Sequence, residues 1–411
     1  MEPISKAEDH AGKLRAFSSF ILALLICSKL INASIAGSYS GGIQTGLITM
    51  SMIWAFLLLY YVLGKVRKAN LWGTVFIIYI LSFFAVSYVT QSGHISELTV
   101  HFIEYGLLGY LIAGTDYDFE KATRYSGYIL IILVVPTFQL IQNSYGAYEN
   151  ILGMSESYTL LPPISAILVH FLYYRKKKDW IMYVAYSIAC YVLVTMFFKG
   201  IRGSILCLFA MIVFAILNLP RFRGKMSAGR LSLILVVFLV MLNIDTAVEF
   251  LAQILSANNI HIRFLEKSAR LGIALSGDLS NGRTNIYSSA FSDFLKSPIW
   301  GNGIGYFPSA HNIIYPHNII LQVLAEGGIL LGIPIIGIII YCIYALIFGI
   351  IENSNYRISV LMLASCTIPA AFVSDELWNY QLLWLLFGIL IKKRSLFNYK
   401  LESENERNGQ E

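Results

Sequence analysis

Residues 281–298 read N-G-R-T-N-I-Y-S-S-A-F-S-D-F-L-K-S-P, residues 299–312 read I-W-G-N-G-I-G-Y-F-P-S-A-H-N, and residues 313–328 read I-I-Y-P-H-N-I-I-L-Q-V-L-A-E-G-G. An arginine, two histidines and a glutamate crowd into this stretch, and a long apolar run, about 329–351, follows at once. The contrast decides the fold class. The chain around this islet is 57% hydrophobic and only 13% charged, with a mean hydropathy of +0.65. That is more apolar side chain than a soluble domain buries, so the chain reads as a polytopic, all-α membrane protein.

Working outward, apolar runs long enough to cross a bilayer fall near 16–36, 43–63, 71–90, 98–115, 125–142, 159–174, 180–197, 203–219, 231–250, 329–351, 358–374 and 378–391, about twelve spans in all. Lys29 interrupts the first run, which therefore reads as a span, not as a leader peptide. The expectation is one integral membrane domain over 1–411, with an outer catalytic loop at 252–328 and a disordered tail at 400–411. No internal repeat is evident.

The connections Lys65/Arg67/Lys68, Lys121/Arg124, 175–178, Arg221/Arg223/Lys225/Arg230, Arg357 and 392–394 fall on one side. The positive-inside rule makes that side cytoplasmic and puts both termini there. All but eight of the 30 Lys and Arg obey the rule. The exceptions are Lys29, inside the first span, and Lys199, Arg202, Arg263, Lys267, Arg270, Arg283 and Lys296 on the outer side. A basic outer surface calls for an anionic substrate. A net charge of +6 without a nucleic-acid motif does not indicate nucleic acid. The five cysteines lie in apolar runs and read as small buried hydrophobes.

Within the outer loop, 259–275 fits an amphipathic surface helix that carries Arg263, Lys267 and Arg270 on one face. Its basic row suits either anionic headgroups or a lipid-linked phosphate. Arg283 opens a second helix, ended by Pro298. Its guanidinium offers a fork of donors matched to phosphate oxygens, as does that of Arg202 between Gly200 and Gly203. Lys199 shares the Arg202 turn and also suits snorkelling to the interface.

Gly301, Gly303 and Gly305 follow no strand, so they form a flexible lip instead of a nucleotide loop. Pro316 suits the first turn of the next helix, placing His317 and Asn318 at its N-terminus, where an imidazolium is disfavoured. A neutral His317 is able to act as a general base. Glu326 lies about half a turn around the axis from His317, where it pairs with a cation or caps the Gly327-Gly328 break. Asp375/Glu376 and Asp245/Glu249 reach the outer side, to bind acceptor hydroxyls or balance the arginines. His94, Glu97, His101 and Glu104 line one helical face at metal-like spacing, yet mutual pairing explains them as well; no metal or other cofactor is expected.

The order Arg202-Gly203-Ser204, Gly282-Arg283, Lys296-Ser297-Pro298 with Gly301-Asn302-Gly303, Pro316-His317-Asn318 with Ala325-Glu326-Gly327, and Val373-Ser374-Asp375 resembles the O-antigen ligase/polymerase family of bacterial envelope proteins. The resemblance implies a metal-independent, GT-C-type glycosyltransferase in the bacterial inner membrane. Its active site would face outward and act on an undecaprenyl-pyrophosphate-linked oligosaccharide. On that basis the catalytic residues are His317, Arg283 and Arg202, with Arg202 and Arg283 on the pyrophosphate and His317 on the acceptor hydroxyl. Asn318, Arg270, Arg263, Lys199, Glu326 and Asp375 would bind substrate. A chain-length regulator and membrane lipids are the expected partners. The motif P-H-N-x-x-L-Q-x-x-A-E-G-G favours a repeat-unit polymerase over a ligase that delivers the chain to lipid A-core. A flippase is the alternative from another class, disfavoured by spans that are apolar at their centres.

Overall fold

A computed structural model describes residues 2–36, 42–64, 70–90, 94–143, 152–176, 179–199, 202–218, 283–373 and 375–392. The expected span 231–250, the amphipathic stretch 259–275 and the tail 400–411 lie outside the described residues. The helices are α1 (Glu2–Ala36), α2 (Gly42–Leu63), α3 (Leu71–Thr90), α4 (Ile95–His101), α5 (Leu108–Ile112), α6 (Phe119–Ile132), α7 (Val134–Asn143) and α8 (Leu152–Tyr174). They continue with α9 (Trp180–Lys199), α10 (Arg202–Leu217), α11 (Thr284–Lys296), α12 (Tyr306–His311), α13 (Ile319–Phe348), α14 (Ser354–Val373) and α15 (Gln381–Lys392). Among the described residues there is no strand, as the sequence leads one to expect.

Among the described residues, four helices are long and apolar enough to cross a membrane: Glu8–Ile35, Gly46–Leu63, Leu71–Thr90 and Ile319–Phe348. Two of the twelve expected spans are interrupted helices. The expected 98–115 span is α4 and α5 joined by a π-helical turn, Phe102–Leu107. The expected 125–142 span breaks at Leu133 into α6 and α7. Thr159–Tyr174, Trp180–Met196, Leu206–Leu217 and Gln381–Lys392 are apolar but shorter.

Burial sorts the helices into centre and rim. The α1 span is 61% buried, against 22% for α2 and α3. Ile21, Leu22 and Leu25 sit at the centre of the core, where α1 packs against α2, α6 and α8. Leu58, Val62, Ile78, Val86 and Val89 on α2 and α3 are exposed, which suits an apolar surrounding and not water. Small residues bring α5 against α15: a Cβ on Gly109 would stand 2.1 Å from the Gln381 carbonyl oxygen, and one on Gly388 would stand 2.9 Å from that of Tyr110.

The bundle has two chemically different ends. At one, Arg124 pairs with Asp179 at 2.9 Å, Lys176 pairs with Glu120, and Lys392 donates to the Tyr110 carbonyl at 2.7 Å. Asn355 ties the start of α14 to this end, accepting from Phe119 N at 2.6 Å and donating to Tyr117 O at 3.1 Å. The opposite end carries His94, the 297–318 loop and the 375–380 turn, and there the candidate site lies.

Helix α13 is too long to be a single span, since 30 residues extend about 45 Å against a hydrocarbon core of about 30 Å. Gly328 resolves the mismatch with a non-helical break at φ 60° and ψ −156°. The part after the break, 329–348, is the stretch the sequence assigns to the membrane. The part before it rises into the site.

Candidate functional site

The segment from Arg283 to Asn318 is built on Asp293. This residue is 1% exposed on the inner face of α11, where it pairs with Lys296 at 2.7 Å and with His311 Nε2 at 2.6 Å. The Asn302 amide bridges the Asp293 and Ala325 carbonyls at 2.8 and 2.9 Å, fastening α11 to α13. Lys296, one of the misplaced cations, is therefore occupied.

The glycine run is a pinned turn, and the flexible lip expected from sequence is not what forms. Gly301, Gly303 and Gly305 all have positive φ, so each glycine is required by its backbone. Asn302 N donates to Ala325 O at 3.0 Å and Gly303 N to Glu326 O at 2.8 Å, while Ile329 N donates to Pro298 O at 2.8 Å. The loop thus supplies and receives backbone bonds at the Gly328 break, where the helix ladder is interrupted. It also reaches α3, because Ile304 N donates to Ser87 Oγ at 2.7 Å.

Glu326 is 1% exposed and, of the two roles expected for it, pairing with a cation is not seen among the described residues. Its Oε1 accepts from Gly305 N at 3.3 Å and its Oε2 from the Trp378 indole N–H at 3.0 Å. Gln322, one turn earlier, accepts from Leu377 N at 3.1 Å. Together they lock the 375–380 turn onto α13. Lys29 of α1 approaches Asp375 at 3.9 Å and lies over the Tyr380 ring at 5.4 Å. The cation inside the first span thus meets a carboxylate. Burial pushes the Asp375 carboxyl up, and the Lys29 charge opposes that.

Pro316 does not start a helix. Asn318 is the N-cap, its Oδ1 accepting from Ile320 N at 3.0 Å and Leu321 N at 3.2 Å, so His317 stands just outside α13. His317 has φ 57°, a left-handed backbone uncommon for a residue with a side chain. Its ring lies 4.4 Å from that of Tyr315, and its Nδ1 is buried without a hydrogen-bond partner among the described residues. Burial, and after it the Arg283 charge, lower His317 to about 4. The neutral imidazole expected from sequence is present, but burial and Arg283 produce it, not a place inside the helix.

Arg283 occupies the N-cap position of α11 and is half-buried. Its charge acts on both His317 and Tyr315. Tyr315 is pushed up to about 12 by burial and by Asp375 and Glu376, with Arg283 opposing. Arg283, Tyr315, His317, Asp375 and Glu376 therefore share one electrostatic neighbourhood, drawn from three separate stretches of chain.

The structure thus brings together Arg283, His317, Asn318, Glu326 and Asp375. Lys199 closes α9 and Arg202 opens α10. Arg263 and Arg270 lie outside the described residues. Tyr315, Trp378 and Lys29 go unassigned by sequence reasoning. The only signal for Tyr315 is an aromatic two positions before a histidine, and for Lys29 a cation in an apolar run. His94 and Glu97 pair locally at 3.3 Å and His101 packs edge-on against Tyr105. Among the described residues no three His, Cys, Asp or Glu converge as metal ligands do.

Fold and site together define an integral membrane protein with a preassembled polar site at one end of a helical bundle. Residues 187–336 match the family model described as O-antigen ligase, a stretch that holds Arg202, Arg283, His317 and Glu326. This match supports the resemblance of the chain to the O-antigen ligase/polymerase family. No curated protein matches the chain.

Proposed function

We propose that the protein is a surface-polysaccharide polymerase of GT-C type. It joins oligosaccharide repeat units carried on undecaprenyl pyrophosphate, at the outer face of the bacterial inner membrane. The observation that carries the reading is the coupling of Arg283 to a buried, neutral His317 at the end of the bundle opposite the basic one. The positive-inside rule makes that opposite end the outer one and leaves both termini inside.

In the reaction an acceptor hydroxyl attacks the anomeric carbon of the donor glycan. The new C–O bond forms as the bond to the phosphate oxygen breaks, and its electron pair leaves on the pyrophosphate. Arg283, with Arg202 at the start of α10, holds that anion by fixed charge, without a metal ion. Arg263, Arg270 and Lys199 are the further cations of this outer surface. The hydroxyl proton passes to His317. A base of so low a pKa takes the proton late, after the attacking oxygen has become acidic through bonding to carbon.

A ligase that moves the finished chain to lipid A-core is the second reading, favoured by the description of the matching family model. Lipopolysaccharide from a deletion strain, resolved by gel, separates the two. A core bearing a single repeat unit supports the polymerase. Bare core with long chains retained on the carrier supports the ligase, and an unaltered profile refutes both. A chain-length regulator is a partner of the polymerase reading alone.

A further inference from the structure

Glu376 has no role in the chemistry above, yet it stands where the site is most tightly built. It is 3% exposed. Its Oε2 accepts from the Asn379 amide at 2.8 Å, whereas its Oε1 is buried with no hydrogen-bond partner among the described residues. A buried oxygen without a donor is costly, so its persistence calls for an explanation. The turn that carries it does not adjust freely. Leu377 N is held by Gln322 and the Trp378 indole by Glu326, one residue and two residues further on. Glu376 is thereby fixed within electrostatic reach of Tyr315, whose ring rests on His317.

We propose that Glu376 is a further binding residue of this site, whose free Oε1 hydrogen-bonds a hydroxyl of the acceptor sugar held beside His317. The proposal rests on the glycosyl-transfer reading and adds to it the residue that receives the acceptor. A sugar hydroxyl both donates and accepts, as does a protonated carboxyl. The titration of Glu376 agrees with that pairing. Burial first, then Glu326 of α13 and Glu97 of α4, push its carboxyl up to about 8. The other charged or titratable groups around it are Asp375 on its own turn, and Tyr315 and Arg283, which share its neighbourhood across the site. The neutral form resolves a conflict, since an ionised carboxylate here would repel the pyrophosphate that Arg283 attracts.

The test is steady-state glycan transfer by the purified full chain in lipid nanodiscs, from a lipid-pyrophosphate-linked repeat unit to a repeat-unit acceptor, between pH 6 and pH 9.5. Wild type, Glu376→Ala and Glu376→Gln are compared. Loss of one such hydrogen bond is expected to raise the acceptor KM of Glu376→Ala by about ten-fold or more, with a smaller change in the donor KM. Glu376→Gln recovers most of that loss, because its amide also donates and accepts. The fall in wild-type activity toward alkaline pH, through about 8, is absent from Glu376→Gln. An acceptor KM unmoved by Glu376→Ala overturns the proposal, as does Glu376→Gln behaving like Glu376→Ala. A wild-type protein that transfers no glycan instead sinks the transferase reading, and this inference falls with it. Thermal unfolding of each variant identifies one that has simply failed to fold, and the Gln variant then decides through its pH profile.

Discussion

The carboxylate of Glu326 accepts the Trp378 indole N–H at 3.0 Å, joining two buried residues that lie 52 positions apart. This bond ties the helix that follows His317 to the turn that carries Asp375 and Glu376. Trp378→Phe keeps an aromatic ring but leaves a small cavity and Glu326 Oε2 without its donor. The expected cost is about 1–3 kcal/mol of stability, read as a lower thermal midpoint in detergent, with catalysis reduced as the turn loosens. A midpoint equal to wild type would show that the bond does not hold the turn.

The Gly328 break makes a second prediction. A Cβ there would stand 2.4 Å from the Ile299 carbonyl oxygen and 2.6 Å from Gly301 N, on a backbone at φ 60°. Gly328→Ala therefore pushes the 297–303 loop away from α13. It is expected to cost about 1–3 kcal/mol or more and to abolish transfer. Gly337→Ala is the control, since a Cβ at Gly337 meets nothing within 4 Å.

The pH dependence follows from His317. An ordinary histidine near 6.5 would impose an acid limb on kcat/KM in the neutral range, but this one stays neutral down to about 4. The acid side of the kcat/KM profile is therefore flat through pH 6.5 and descends well below it. Bound pyrophosphate offsets the Arg283 charge, which is the second cause of the lowering, so the acid limb of kcat lies at higher pH than that of kcat/KM. Arg283→Gln raises the His317 titration for the same reason, which NMR of labelled histidine reads directly.

Stability has its own pH dependence through Glu376. Its folded value of about 8 stands above its ordinary 4.5, so the folded state holds the proton more tightly than the unfolded state. That contribution is full below about 4.5 and is lost as pH rises through 8. The thermal midpoint of wild type is expected to decline across that window, and Glu376→Gln to flatten the decline.

Much of this architecture was legible in the chain. Apolar runs gave the helices. The break at Gly328 coincides with the expected start of the 329–351 span. What could not be read were pairings across sequence. Nothing local says that Lys29 meets Asp375, or that Glu326 serves an indole instead of a cation. The three glycines read as a mobile lip because their bonds go to residues 325 and 326, beyond any local window. The π-helical turn at 102–107 escaped for the same reason, since Gly106 shows its purpose only against Trp384 of α15. The motif draws attention to His317, while the causes of its lowered titration, burial and Arg283, are tertiary.

The central claim is that His317 and Arg283 act together on a lipid-pyrophosphate-linked glycan. Its most direct test is single-turnover transfer by the purified protein in nanodiscs, with donor binding measured in parallel. His317→Ala is expected to bind donor nearly as wild type does while the transfer step slows by about 10²–10⁴-fold. Arg283→Ala is expected to lose both donor affinity and transfer. Transfer at the wild-type rate by His317→Ala would contradict the account.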